Sequence, residues 1–207
     1  VYDEAVYHSW ALQILAGDMF HIIPDFAPAY VWIMAAVYQI FGAEILYIRL
    51  LNICLGGLSC GFIFLIGREL KDNRTGIAAS LIAAVYGPLV LFNVLIHKTS
   101  LAVFLFSATI WFFISATRYP AFLATAGCGF CAGLLVNVRS NAVVIIPVLM
   151  LFMVWQACSK REWLSRTVRP LLAFGLGAIA ALAPFGALNY TGTSSLSVMP
   201  TAGFNLY

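Results

Sequence analysis

Charge is what this sequence has least of. Asp, Glu, Lys and Arg together make up 9% of the chain, against about 25% in an ordinary soluble domain. With 63% hydrophobic residues and a mean hydropathy of +0.97, a water-soluble globule is excluded. The expected class is an all-α polytopic integral membrane protein. Lys and Arg are missing from the whole stretch before Arg49 and again after Arg169. Ionisable groups are missing from the interiors of the long apolar runs, which argues against ion- or proton-coupled passage, since such carriers keep charges or broken helices near the membrane midplane. An initiator Met and a signal peptide of the charged-then-apolar kind are lacking too. The expectation is therefore a fragment, with an apolar segment ending just before Val1 and an outer domain following Tyr207. Cysteine is sparse: Cys54, Cys60, Cys128, Cys131 and Cys158 all fall in or at the end of apolar runs, so no disulfide framework follows. Cys128 and Cys131 have redox-motif spacing, but within a lipid-embedded helix they read as small packing residues.

What charge there is collects in a few places. Asp3, Glu4 and Asp18 belong to the first eighteen residues. Apolar Ala5, Trp10, Ala11, Ile14 and Leu15 recur at helical spacing, predicting an amphipathic helix from Glu4 to Ala16, capped by Asp3 and stopped at Gly17. A loop punctuated by Pro24 and Pro28 leads to a second, aromatic helix, Ala29 to Phe41. It is too short to cross about 30 Å of hydrocarbon, and its Tyr30, Trp32, Tyr38 and Phe41 suit an interfacial position. Residues 1–45 thus read as a first extracytoplasmic loop, 46–189 as six transmembrane helices, and 190–207 as the start of a truncated outer segment. The expected spans are Leu46–Ile66, Gly76–Ile96, Thr99–Thr117, Ala121–Asn137, Ala142–Cys158 and Pro170–Asn189, with Pro88 kinking the second and Pro147 and Pro184 bending later ones. Gly57 with Gly61, and Gly129 with Gly133, have the spacing that lets helix backbones approach closely.

Arg68, Lys71 and Arg74, then Arg118, then Lys160, Arg161, Arg166 and Arg169 fall in alternate loops, which therefore share one side. The positive-inside rule makes that side cytoplasmic and puts the acidic helix outside. The expected location is the plasma, or bacterial inner, membrane, with the site on the extracytoplasmic side. Arg49, Lys98 and Arg139 break the charge rule at predicted outer ends, facing the side that carries Asp3 and Glu4. A carboxylate pair with three cations on one face suits chemistry on a hydroxyl beside a bound anion. The same acids also suit a helix N-terminus favoured by the macrodipole, and Arg139 also suits snorkelling to headgroups. His8 one turn after Glu4, and His21 near Asp25, offer only two metal ligands each.

The run Tyr2-Asp-Glu-Ala-Val-Tyr7, followed by a short Pro-aromatic helix, resembles the first extracytoplasmic loop of the GT-C glycosyltransferases. It is most similar in pattern to the family 39 proteins, akin to protein mannosyltransferases and the lipid A aminoarabinose transferase. Arg49-Leu-Leu-Asn52, Gly67-Arg-Glu-Leu70, Asn137-Val-Arg-Ser-Asn141 and Gly203-Phe-Asn-Leu-Tyr207 add to the resemblance. The chain departs from it where His97-Lys98-Thr99 stands in place of an acidic residue, and where Ala27 stands in place of a basic one. The resemblance implies a GT-C-type helical bundle with juxtamembrane helices. It also implies an inverting enzyme that moves a sugar from a polyprenyl-phosphate donor to an extracytoplasmic acceptor hydroxyl, on a protein or glycolipid. Asp3 then corresponds to the catalytic base, with Glu4 beside it as an orienting carboxylate. Arg139, Lys98 and Arg49 would hold the donor phosphate, and Tyr7 and His8 would touch substrate. No cofactor or metal is firmly implied, and no nucleic-acid partner. A transporter or flippase of a lipid-linked sugar is the alternative from another class.

Overall fold

The computed structural model describes residues 2–17, 28–119, 121–158 and 163–193, with side chains for 4–17, 28–119, 121–156 and 168–187. The expectations for the side chains of Asp3, Asp18, His21, Asp25 and the Lys160–Arg166 cluster, for Ala27, and for the tail beyond residue 193, lie outside what is described. Every described element is helical, and the chain is an all-α membrane protein.

Helix α1 (Tyr2–Leu15) begins two residues earlier than its sequence signals suggest. Asp3 is therefore inside the first turn rather than capping it, where a carboxylate still meets the positive end of the helix dipole. The inward face also differs. Tyr7, Ala11 and Ile14 are buried, spaced by one turn each, while Ala5 is exposed. Gly17 takes a left-handed φ of +84° and ends the helix, donating its N–H to the Ile14 carbonyl at 3.1 Å. Helix α2 (Pro28–Phe41) starts at Pro28 itself, since proline's fixed φ suits the first helical position and no N–H is needed there. It is buried along most of its length (Ala29, Tyr30, Val31, Met34, Ala35, Tyr38) beneath α1 and against α3 and α7. Fully burying a large apolar side chain is worth about 1.5–3 kcal/mol, so the α1–α2 pair is held by packing at Tyr7, Tyr30 and Met34 rather than by helix propensity.

Helix α3 (Ile45–Leu70) runs 26 residues and overshoots its expected end by a turn. The second expected span is two helices, α4 (Asn73–Val85) and α5 (Gly87–Val94), bent by 57° at the break. Pro88 does kink it as expected, with the hinge at Tyr86 and Gly87 just ahead. Helix α6 (Thr99–Arg118) and helix α7 (Phe122–Val138) follow. A 3-10 turn, Ser140–Val144, opens the fifth expected span before α8 (Ile145–Cys158). Pro147 thus sits in the first turn of α8, where its missing N–H costs nothing, and not at a mid-helix bend. Helix α9 (Trp163–Thr193) carries both Pro170 and Pro184 in its interior. By length and composition α3, α6 and residues Val168–Ala187 of α9 suffice to cross a membrane, and α4 with α5 passes the same test only as one bent pair, the geometry of a broken span or a re-entrant loop. Helix α7 and Ser140–Gln156 are apolar but shorter.

The most extensive packing is between α7 and α9. A Cβ on Gly129 would fall 2.0 Å from the Phe174 carbonyl oxygen, and one on Gly177 would fall 2.0 Å from that of Ala126. Gly133 is similarly tight against Ala178 and Ala181. The partners advance together along both chains, so these helices run parallel at backbone contact. The Gly57–Gly61 expectation fails: both face open space, and the close approach on α3 is at Gly56, against the Asn93 side chain. Spacing alone could not tell which face of α3 meets a neighbour.

The two ends of the bundle differ. At one end Arg118 donates to the Glu69 carboxylate at 3.1 Å and to its carbonyl, with Arg68 3.8 Å from the same carboxylate. Asp72 caps α4 by accepting the Thr75 N–H at 2.7 Å. The opposite end gathers α1, α2, the loop 95–98 and Arg139, so the loops carrying Arg68 to Arg74 and Arg118 share the end away from them.

Candidate functional site

The second end of the bundle is built around the short loop between α5 and α6. Helix α5 stops at Val94, two residues before the expected end of its span. The carbonyl of Leu95 accepts from Asn52 Nδ2 at 2.8 Å, and the N–H of Ile96 donates to Glu4 Oε1 at 2.8 Å. Those two atoms belong to one peptide unit. It is held from α3 on one side and from α1 on the other. Three residues on, Arg139 Nη2 donates to Thr99 Oγ1 at 3.2 Å. Glu4 and Arg139, far apart in sequence, thus meet the same five-residue segment.

His97 lies between them. The Thr99 N–H donates to its Nδ1 at 3.2 Å, and Thr99 Oγ1 stands 2.6 Å from the same nitrogen. An amide N–H can only donate, so Nδ1 is the acceptor and the neutral imidazole carries its proton on Nε2. The hydrogen bonds then run in one direction, from Arg139 to the Thr99 hydroxyl and from that hydroxyl to His97. The imidazole packs edge-on to Tyr7 (6.4 Å between centroids) and against Phe92 (5.2 Å).

Tyr7 is buried at 3% exposure, edge-on to Tyr30 at 5.4 Å. It is part of the packed floor, not a free surface anchor. Tyr30 accepts from Asn52 Nδ2 at 3.1 Å, and burial pushes its phenol well above the usual tyrosine range. His8 Nδ1 is 2.8 Å from the Tyr38 hydroxyl, and burial raises the Tyr38 phenol as well. Both phenols therefore stay neutral in the working pH range and act as hydrogen-bonding groups. His8 is tied to α2 through Tyr38.

Among the expected anion-binding residues, Arg139 is exposed at the C-cap of α7 with its guanidinium turned to Thr99. Lys98 is half-buried at the mouth of α6, with an interaction of its own. Arg49 is exposed at the start of the second turn of α3. Glu4 is half-buried, and Asp3 precedes it in the first turn of α1. Among the described residues no three His, Cys, Asp or Glu side chains gather closely enough to hold a metal ion. Sequence reasoning gave Thr99 no role, and gave neither Tyr30, read as an interfacial aromatic, nor Asn52, read only as part of a family motif, a place in the site. One signal was there to find: Asn52, Asn93 and Asn137 are isolated amides near the same end of three apolar helices. Asn52 and Asn137 are fully buried, and each has an Oδ1 with no partner.

Below the loop lies a cavity of about 240 Å³ between α3, α4, α5 and α6, lined among others by Gly56, Leu89, Asn93, Thr99 and Val103. Ala84 and Leu89, on either side of the break between α4 and α5, both line it, and Thr99 connects it to Arg139.

No curated protein sequence and no solved structure matches this chain. The family of dolichyl-phosphate-mannose-protein mannosyltransferases matches residues 25–187, which takes in the loop 95–99, Asn52 and Arg139 but begins after the acidic helix α1. By that match the chain belongs to the dolichyl-phosphate-mannose-protein mannosyltransferase family.

Proposed function

We propose that this mannosyltransferase-type membrane glycosyltransferase takes a sugar from a polyprenyl-phosphate carrier and places it on an acceptor hydroxyl at the extracytoplasmic face, with inversion. Asp3 accepts the proton of the acceptor hydroxyl, since an un-ionised hydroxyl is a poor nucleophile. The oxygen attacks C1 from the side opposite the lipid phosphate, the C1–O bond to phosphate breaks, and the bonding pair leaves with the phosphate monoester. Arg139, Lys98 and Arg49 take up the charge that develops there. The donor's own phosphate ester is the leaving group. Tyr7 and His8 shape the floor beneath the sugar.

One observation carries this reading: the helix bearing Asp3 and Glu4 and the turn bearing Arg139 are both hydrogen-bonded to the segment 95–99. Base and phosphate cations would thus share one pocket, as in-line displacement demands.

Asp3→Asn in the full-length protein in lipid nanodiscs tests it. Transfer from polyprenyl-phosphate mannose should fall by about 10²- to 10⁴-fold while donor binding persists. Undiminished transfer by Asp3→Asn would exclude a general base there. Carrier translocation that continues without any transfer in the unmodified protein would favour a flippase instead.

A further inference from the structure

We propose that Asn52 and Glu4 are positioning residues that act through a single peptide plane, that of Leu95 and Ile96, to aim Lys98 and Thr99 with its partner Arg139 at the donor phosphate. The inference rests on the glycosyl-transfer reading for its kinetic consequence, but not for its geometry.

A loop that joins two membrane helices has every reason to move. Helix α5 has just ended, so the Leu95 carbonyl and the Ile96 N–H have no helical partners. Each finds a side chain instead: the carboxamide of Asn52 at 2.8 Å and the carboxylate of Glu4 at 2.8 Å. The two bonds leave opposite edges of one planar unit. Rotation of that peptide would break both at once, so the φ/ψ choices on either side are fixed together. His97, Lys98 and Thr99 follow immediately, and Thr99 is where Arg139 docks.

The cost of the arrangement shows that it is specific. Asn52 is fully buried and leaves its own Oδ1 unpartnered in order to present Nδ2 to both Leu95 and Tyr30. A packing residue would have been apolar at that position. The Glu4 carboxylate also joins α1 to the loop, so the same contact ties the helix bearing Asp3 to the phosphate side. On this assignment Glu4 works as a hydrogen-bond acceptor through the backbone and not as a proton acceptor toward substrate.

The two roles separate by substitution. Glu4→Gln keeps an oxygen for the Ile96 N–H and removes the charge, whereas Glu4→Ala removes both. The assignment requires Glu4→Gln to keep kcat/KM for polyprenyl-phosphate mannose within about fivefold of the starting protein, the margin between a charged and a neutral acceptor. Glu4→Ala should lose about 10- to 100-fold, the penalty of a misplaced site. The loss should fall on kcat and the donor KM, with the acceptor KM unchanged. Combining Glu4→Ala with Asn52→Leu should cost little more than the worse single change, because both release one peptide. Deuterium exchange of the 95–99 amides in nanodiscs reads the clamp without any turnover: fast in Glu4→Ala, slow in Glu4→Gln. A Glu4→Gln protein as inactive as Glu4→Ala, additive losses in the double variant, or exchange rates indifferent to Glu4 would each overturn the assignment. Should the unmodified protein transfer no sugar, the functional reading falls, and the exchange data still decide the clamp.

Discussion

The contact between α7 and α9 makes a demand that a single methyl group tests. Gly177 lies so close to α7 that an added Cβ would stand 2.0 Å from the Ala126 carbonyl oxygen and 2.9 Å from the Phe130 nitrogen. Both are backbone atoms, so no side chain can swing aside. Ordinary contact begins near 3.4 Å, so the helices must part locally by about 1.4 Å to admit alanine. Overpacking of this kind costs about 1–3 kcal/mol. The displacement also reaches the site. Asn137 Nδ2 donates to the Ala181 carbonyl at 3.3 Å, one turn above Gly177, and Arg139 follows two residues later. Gly177→Ala should therefore lower the melting temperature in nanodiscs and weaken transfer as Arg139 shifts away from Thr99. Two positions away, Gly175 has nothing within 4 Å of a built Cβ. Gly175→Ala, the same chemical change on the same helix, should be neutral or slightly stabilising, since alanine is the better helix former by about 1 kcal/mol. A Gly177→Ala protein that melts at or above its parent, or a Gly175→Ala protein that loses as much, would refute the parallel backbone contact.

Other expectations follow from the same structure. Arg139→Ala should lower kcat by about 10²- to 10³-fold, and Arg139→Lys should recover only part of it, because an ammonium lacks the planar fork; steady-state kinetics with polyprenyl-phosphate mannose decides. The Thr75 N–H beside Asp72 holds that carboxyl below its usual pKa. A depressed folded pKa means that its contribution is present above the unfolded value of about 3.9 and is lost as pH falls through the folded one. Melting curves from pH 3 to 6 should show that sensitivity reduced in Asp72→Asn, which can still cap, with stability lower at neutral pH in Asp72→Ala. On α3, Gly57→Ala should be silent in thermal melts, while Gly56→Ala should not, since its Cβ would meet the Asn93 amide.

Much of the architecture was legible because membrane helices advertise themselves. Scarce charge, apolar runs of crossing length and alternating basic loops suffice for α3, α6, α9 and the order of the ends. Glycine's preference for a left-handed φ put the end of α1 at Gly17, where the structure has it. The legible part of the site was its charges: Arg139 read as belonging with the acidic helix, and both do reach the loop 95–99. The illegible part was orientation. Helical spacing cannot show that Tyr7 faces inward and Ala5 outward, or that Gly56 rather than Gly57 meets a neighbour, since each depends on a partner far along the chain. Thr99 and Asn52 stayed hidden for a related reason. Asn52 bonds the backbone carbonyl of Leu95, which leaves no residue letter to recognise, and Thr99 takes its part from Arg139, far along the chain.

The 57° bend between α4 and α5 has a geometric consequence of its own. An eight-residue helix is about 12 Å long. Tilted that far, it carries its tip about 10 Å sideways and leaves it about 5 Å lower than a straight continuation would. The tip is where the Leu95 peptide begins. A straight rod would therefore carry that peptide away from its place beside the Glu4 carboxylate. The crook in the rod sets a recess beside that peptide, the cavity lined by Leu89, Asn93 and Thr99.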